Sequence, residues 1–433
     1  MGKNNRRISM TLAIAVGLNV AGVVAGQSTP VPASPAQTLA VPGASNSTPS
    51  LTAVGRTVAA AWTATKEAST NLYVAISNDG GATFSPPRRV NDIDGDAGAT
   101  PEQPPRVVLS GSSGARTLTV VWSKRDTGPM QTRRDVIRMS RSTDGGRTFT
   151  PARFTHDPNF SGARGWESAT AGADGAAHVV WLDGRAAARK IDEHAKQSGM
   201  AHKGQPPQEI YHGRLSPNGR MTETLIASDV CFCCKTTVAV GARGDVYAAW
   251  RHIFPGSMRD IAFAKSTDGG RSFDPLIRVS EDKWELNGCP EDGPTLAVDQ
   301  AGVIHIAWAT VVNDGEPQKA LFYATSRDGK TFSARARLPV PATATPGHPQ
   351  LTLTPDGGAA IVWDEVVGGE RRVSFARVSR AGAFGQPQIL SGDESAQHPV
   401  IVRADANVLV AWTSRSSKSA AEPSVIRMTR ITR

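Results

Sequence analysis

Residues 246–273 read VYAAWRHIFPGSMRDIAFAKSTDGGRSF. An apolar segment closes on Trp250, a loop follows, and a second apolar segment runs over IAFAK into Ser-Thr-Asp-Gly-Gly-Arg-Ser-Phe. Both segments are short and bounded by Gly, Pro and Asp, the pattern of two antiparallel strands rather than of a helix. In the terminal run, Asp with two Gly allows the positive φ of a tight turn. Ser and Thr bond back onto such a turn, and Phe273 plugs it into an apolar layer.

The same unit recurs along the chain. The segments TVAAAW, TLTVVW, AAHVVW, DVYAAW, VIHIAW, AAIVW and VLVAW end at Trp62, Trp122, Trp181, Trp250, Trp308, Trp363 and Trp412, at spacings of 60, 59, 69, 58, 55 and 49 residues. A stretch such as PTLAV or PQLTL precedes each Trp, and a further strand such as VIRMSRS, LFYATS or VSFARVS follows it. After most of these comes the turn: SNDGGATF at 77–84, STDGGRTF at 142–149, SRDGKTF at 326–332, with decayed copies SPNGRMT at 216–222 and SRAGAF at 379–384. A fourth strand then closes the unit, for example LIRVSED or PQILSGD.

Four short strands repeated seven times predict an all-β chain, a seven-bladed β-propeller of four-stranded antiparallel blades. One blade cannot cover both faces of its own sheet, so the recurring Trp is expected to pack between blades. The last unit stops after its third strand at Arg433, and Gln37 to Pro42 (QTLAVP) is expected to supply the missing strand and close the ring.

The Ser-x-Asp-x-Gly-x-Thr/Ser-Phe turns resemble the Asp-boxes, or BNR repeats, of the sialidase-like propeller superfamily, over nearly all of residues 37–433. The resemblance implies the architecture; such propellers host glycosidases, binding proteins and assembly factors alike. Sialidases of this family have six blades, a Tyr nucleophile paired with Glu, an Asp acid/base and three Arg on the substrate carboxylate, the first within Arg-Ile-Pro. This chain departs from that pattern: no Arg-Ile-Pro occurs, and Tyr73, Tyr211, Tyr247 and Tyr323 all fall inside predicted strands.

Composition agrees with a turn-dense β protein. Gly (42) and Pro (29) are abundant, and 12 Phe and 9 Trp among 39% hydrophobic residues suffice for a large core. The net charge of +9 comes from scattered basic residues, which does not predict a nucleic-acid partner. Residues 1–26 carry a basic start and an apolar run in the layout of a secretory signal peptide, and 27–36 read as a linker. The expected location is periplasmic or secreted, with no transmembrane span after signal removal, and the expected state is a monomer.

Chemistry is expected where the loops entering each blade meet at the channel mouth, on the face opposite the Asp turns. Those loops hold Glu102, Trp166, Glu167, Cys231, Cys233, Cys234, Lys235, Trp284, Cys289, Glu291 and Asp292, and end with His348 and His398 in matching Gly-His-Pro and Gln-His-Pro contexts. Cys231, Cys233, Cys234, Cys289, His348 and His398 form a candidate soft-metal set for copper or zinc. The same cysteines in an oxidising compartment predict one or two disulfides joining the third and fourth loops, with a link to Cys289. The Asp92, Asp94 and Asp96 run offers hard oxygens for calcium. Trp166, Glu167, Trp284, Arg185 and Arg251 are candidate ligand-binding residues, suited to a glycan or a carboxylate. Glu102, Glu167, Glu291 and Asp292 are candidate acid–base carboxylates. An insertion over 182–208, with His194, Met200 and His202, is expected to lie near the mouth. His178 and His305 read as core histidines.

Three functions are open to such a chain: a propeller binding a small ligand or metal ion at its mouth, a sialidase-like glycoside hydrolase working through loop carboxylates, and a protein-interaction scaffold.

Overall fold

The computed structural model describes residues 33–432, apart from 99, 112–115, 126–134, 160, 191–207, 287, 289, 314, 418 and 420–421. The segment read as a signal peptide, the histidines of the 182–208 insertion and Cys289 lie outside the described residues.

Among the described residues the strands form seven four-stranded antiparallel sheets. Six are simple meanders, over 45–89, 106–154, 164–230, 237–278, 295–337 and 345–389, which we number blades 1 to 6. Blade 7 takes three strands from 395–431, and its fourth is Gln37–Leu39, paired antiparallel with Val425–Ile431 so that Thr38 faces Arg427. The N-terminal strand thus closes the ring as expected by completing the last sheet, and leaves only a three-residue strand at its outer edge.

The fold follows from the second strand of each blade. Trp62, Trp122, Trp181, Trp250, Trp308, Trp363 and Trp412 are all fully buried, at 0% exposure. Their clusters span neighbouring blades; Trp308 packs with Tyr247 and Phe263 of blade 4 and Phe322 of its own blade. The indole N–H is usually satisfied as well, by Asn46 for Trp62 (2.9 Å), Asp282 for Trp308 (2.7 Å) and Glu365 for Trp363 (3.0 Å).

The turns between third and fourth strands are built as their sequence implies. In blade 4, Asp268 Oδ1 accepts from Ser266 Oγ and the amides of Arg271 and Ser272, and Oδ2 accepts from Ser272 Oγ at 2.6 Å. The equivalent bonds recur at Asp79 and Asp144. The hydroxyl of Ser272 is the main reason that the Asp268 carboxyl lies far below the ordinary carboxylate range. These aspartates are consumed by their own turns.

Outer strands are shorter than the sequence suggests, only two residues in blades 1, 2, 4, 5 and 6, because the rim needs few ladder bonds to hold each turn. Blade 3 is the exception, with an outer strand over Met221–Val230.

Candidate functional site: a carboxylate–imidazole cluster at the channel mouth

Each propeller blade begins with a strand lining the channel, and in four of them that strand is interrupted by a register shift. At the shift sits a non-glycine residue with positive φ: Thr48 (57°), Trp166 (59°), His348 (51°) or His398 (52°). Left-handed backbone at such residues is costly, and it persists only where the surroundings hold it. Here an acceptor from the preceding blade, or from the loop entering it, captures the amide: Thr413 Oγ1 takes Thr48 N at 3.1 Å and Gln103 Oε1 takes Trp166 N at 3.3 Å. Asp292 Oδ1 takes His348 N at 2.9 Å and Asp364 Oδ2 takes His398 N at 2.7 Å. Three of the four residues precede proline, which cannot donate to the ladder and so belongs at a bulge. The matching His-Pro pairs are therefore two copies of one backbone device that turns a side chain toward the channel.

The two imidazoles stand side by side, ring centroids 4.1 Å apart. Glu102, from the loop entering blade 2, reaches both: its Oε1 is 3.0 Å from His348 Nε2 and 3.7 Å from His398 Nε2. Its other oxygen is 2.7 Å from Lys235 Nζ, on the loop entering blade 4. Asp364 holds the far side of His348, with Nδ1 at 2.8 and 2.9 Å from its two oxygens. Asp292, almost wholly buried, lies 3.6 Å from His348 Nε2 and 2.5 Å from Lys319 Nζ. One ligand atom from each of Glu102, His348 and His398 falls within 4.8 Å of the other two. The cleft against which they stand, lined also by Thr48, Pro101, Arg106 and Lys235, has a volume of about 20 Å³, room for one water molecule or ion and far short of a sugar ring.

The electrostatics separate the two histidines. Burial disfavours the charged form of His348, and Lys235 adds to this, yet Asp292 and Asp364 outweigh both and raise its pKa to about 9. Burial, the charge on His348 and Lys235 together push His398 down to about 3, so its ring is neutral. For Glu102, burial opposes ionisation, but His348 and Lys235 overcome it and hold the carboxyl well below its ordinary range. With a folded-state pKa above the unfolded value, charged His348 contributes stability that is complete below about pH 6.5 and lost as pH rises through about 9. The Tm advantage of metal-free wild type over a His348→Gln variant is accordingly expected to shrink between about pH 6 and pH 10; a constant advantage across that range would mean the proton is not held in the folded state.

The cysteines form a second group nearby. Cys231, Cys233 and Cys234 have their sulfurs within 4.8 Å of one another, all buried, in a loop that packs on Trp166, Phe232 and Ile253. Cys231 and Cys234 are free thiols; the Cys234 S–H donates to Cys231 Sγ at 3.2 Å. That bond is the main reason the Cys231 thiol is lowered to about 6, with Arg259 and Arg251 assisting, whereas burial drives Cys234 up. The metal set expected from sequence is thus divided: the two histidines join Glu102, and the sulfurs of Cys231, Cys233 and Cys234 form a group of their own.

Several other expected site residues are used structurally. Arg251 is fully buried and donates to the carbonyls of Arg259, Asp292 and Ala309, so it fastens the loop before blade 5 instead of facing a ligand. Arg185 is likewise buried, paired with Asp183 at 2.7 Å and Glu223 at 2.8 Å. Glu167 is sealed in, accepting from Ser123 Oγ at 2.8 Å, and burial raises its pKa. Trp166 packs on the cysteine loop and accepts from Thr236 Oγ1 at its carbonyl; Trp284 lies under the Arg251 guanidinium. Glu291 is exposed. The calcium reading of the 92–96 run is corrected: Asp96 is buried against Lys124 (2.8 Å) and Arg138 (3.2 Å), and Asp94 accepts from Ser69 and Asn71. Cations on Asp96, and a hydroxyl and an amide on Asp94, thus already engage these carboxylates. His178 and His305 are core histidines, bonded to His212 (3.0 Å) and Tyr323 (2.6 Å).

Asp364 and Lys319 are the members of this cluster that sequence reading missed. A signal for Asp364 exists: it directly follows Trp363, where the other repeats carry Thr63, Ser123, Leu182, Arg251, Ala309 and Thr413. Three of those polar positions also bond to the next blade's entry, as Ser123 does to Glu167, Arg251 to Asp292 and Thr413 to Thr48.

The sequence matches no protein-family model and no curated protein. Among solved structures the chain is similar to a PL25 ulvan lyase (TM-score 0.54, 11% identity, covering 89% of this chain and 93% of that one). A protein of unknown function from Dyadobacter fermentans DSM 18053 aligns at TM-score 0.52 with 12% identity, over 92% and 99% of the two chains. Polysaccharide lyase Uly1 aligns at 0.51 with 9% identity, over 88% and 89%. At such identities the likeness is one of fold, and it agrees with the propeller that the repeats predict.

Proposed function

We propose that this propeller is an extracytoplasmic protein that holds a zinc or copper ion at its channel mouth through Glu102, His348 and His398. The carrying observation is the convergence of two imidazoles and one carboxylate from three blades, with the Nδ1 side of His348 held by a buried carboxylate. A carboxylate behind a ligating histidine fixes its tautomer and orientation and raises its basicity. Two His and one Glu suit a three-ligand site with a position open to substrate. His398 is already neutral, and Lys235 engages Glu102 through the oxygen that does not face the imidazoles. The small cleft supports an ion better than a sugar at this point. When bound, the metal would supply Lewis acidity; Lys235, Lys319 and Arg106 would orient an anionic group brought to it. In the test, metal-free protein is titrated with zinc by calorimetry. One site per chain is expected, lost in Glu102→Gln and in His398→Ala; the absence of stoichiometric binding by wild type overturns the reading.

The cysteine loop is read as support for this wall, with Cys233 joined to Cys289 and Cys231 and Cys234 left as thiols. Thiol titration of unfolded, unreduced protein is then expected to find two per chain. Four would exclude the link.

A carbohydrate-related role is the second reading, favoured by the polysaccharide lyases among the fold relatives. A two-carboxylate hydrolase fits less well, because it needs one carboxyl raised toward neutrality within reach of substrate. Glu102 and Asp292 are both held ionised, and Glu167 is sealed. Turnover of fluorogenic glycosides by wild type would favour the hydrolase over the metal site.

A further inference from the structure

A large groove lies remote from the mouth. It has a volume of about 890 Å³ and lies on the opposite face, between blades 3 and 4. Its walls are the hairpin ends of both blades, and four arginines line it: Arg214, Arg220, Arg243 and Arg271. Two aspartates oppose them, and both are committed. Asp174 pairs with Arg214, and Asp268 is consumed by its own turn. Arg220 and Arg271 are exposed, and Arg243 touches Asp245 only at 3.6 Å. Beneath them, burial holds His178 down to about 4, so the floor carries no cation of its own.

One wall of the groove comes from the third-to-fourth strand hairpin of blade 3. Blade 3 carries the decayed turn, Ser216-Pro217-Asn218-Gly219-Arg220-Met221-Thr222, where the repeat would have its aspartate. That hairpin places Arg214 and Arg220 on the groove wall. The comparable inter-blade clefts on this face are smaller, about 170 Å³ between blades 2 and 3 and about 10 Å³ between blades 4 and 5.

We propose that this groove binds an anionic oligosaccharide chain, its carboxylate or sulfate groups taken by Arg220, Arg243 and Arg271. Guanidinium groups engage such oxyanions by paired, charge-assisted hydrogen bonds. Between the arginines the lining is small and hydroxylic, with Ser216, Thr222, Thr224 and Thr267. No Phe, Tyr or Trp lines it for stacking bases, its one ring, His178, is buried in the floor, and it has no apolar pocket for anchoring a peptide side chain. A hydroxyl-rich polyanion is what this surface complements.

The test uses the full chain, with binding of a hexagalacturonate and a heparin-derived hexasaccharide measured by calorimetry at low and moderate salt, beside neutral cellohexaose and a hexaglutamate peptide. Binding of at least one acidic sugar is expected, weakened by salt, with none of cellohexaose; the preferred sugar tells carboxylate from sulfate recognition. The double variant R220Q/R271Q, both positions being exposed, is expected to lose affinity by about 10- to 100-fold at unchanged Tm. His398→Ala at the mouth is expected to leave the affinity as it is. Failure of both acidic sugars, full retention of affinity in the double variant, or equal or tighter binding of hexaglutamate would each overturn the proposal.

Discussion

Asp364→Asn is expected to weaken zinc binding by about 10- to 100-fold while leaving every proposed ligand in place. Asp364 does two things at once: its oxygens hold His348 Nδ1 at 2.8 and 2.9 Å, and one of them also takes the amide of His398 at 2.7 Å. An asparagine offers one acceptor and no charge, so it cannot satisfy both the ring and the bulge. Removing the charge also lowers the proton affinity of His348, which favours metal binding, so the net loss falls toward the tenfold end at acidic pH and grows as pH rises. Calorimetric titration of metal-free wild type and variant at two pH values checks both statements. An unchanged affinity would show that Asp364 only braces the backbone and does not orient a ligand.

Trp308→Ala is expected to cost about 3–5 kcal/mol of stability, since it empties a buried site between two blades. The indole is wholly buried among Tyr247, Phe263 and Phe322, and its N–H donates to Asp282 at 2.7 Å. Phenylalanine separates the two contributions. Trp308→Phe keeps most of the apolar contact but takes a donor from buried Asp282, whose carboxylate then relies on Ser280 and Arg335. Trp122→Phe removes an N–H that has no partner among the described residues, and should cost less by about 1–2 kcal/mol. Denaturant unfolding of the two variants gives the comparison, and equal losses would mean that the Asp282 bond adds nothing net.

Much of the architecture can be read from the chain alone, because the signals are local. A Trp-terminated strand and an Asp-Gly turn each state their own conformation, and repetition at 49–69 residues states the number of blades. Even the closing strand at Gln37–Leu39 follows from counting a missing unit. The rim composition was legible too, since the connections of a meander alternate between faces.

What could not be read was which rim residues meet, and in what ionic state. His348 and His398 were visible as a matched pair, but their partner Glu102 lies 246 residues before His348 in sequence, and Asp364 hides behind a packing Trp. Arg185 and Arg251 have the composition of a carboxylate clamp, yet ring packing turns both inward, where only backbone carbonyls and buried acids can satisfy them. The division of sulfur from imidazole likewise depends on angular position around the ring. Sequence determined the propeller and the supply of reactive groups at its mouth, because turns, strands and repeats are short-range. Only the closed ring decided which of those groups share a few ångströms, since distances across a channel are set by every blade between them.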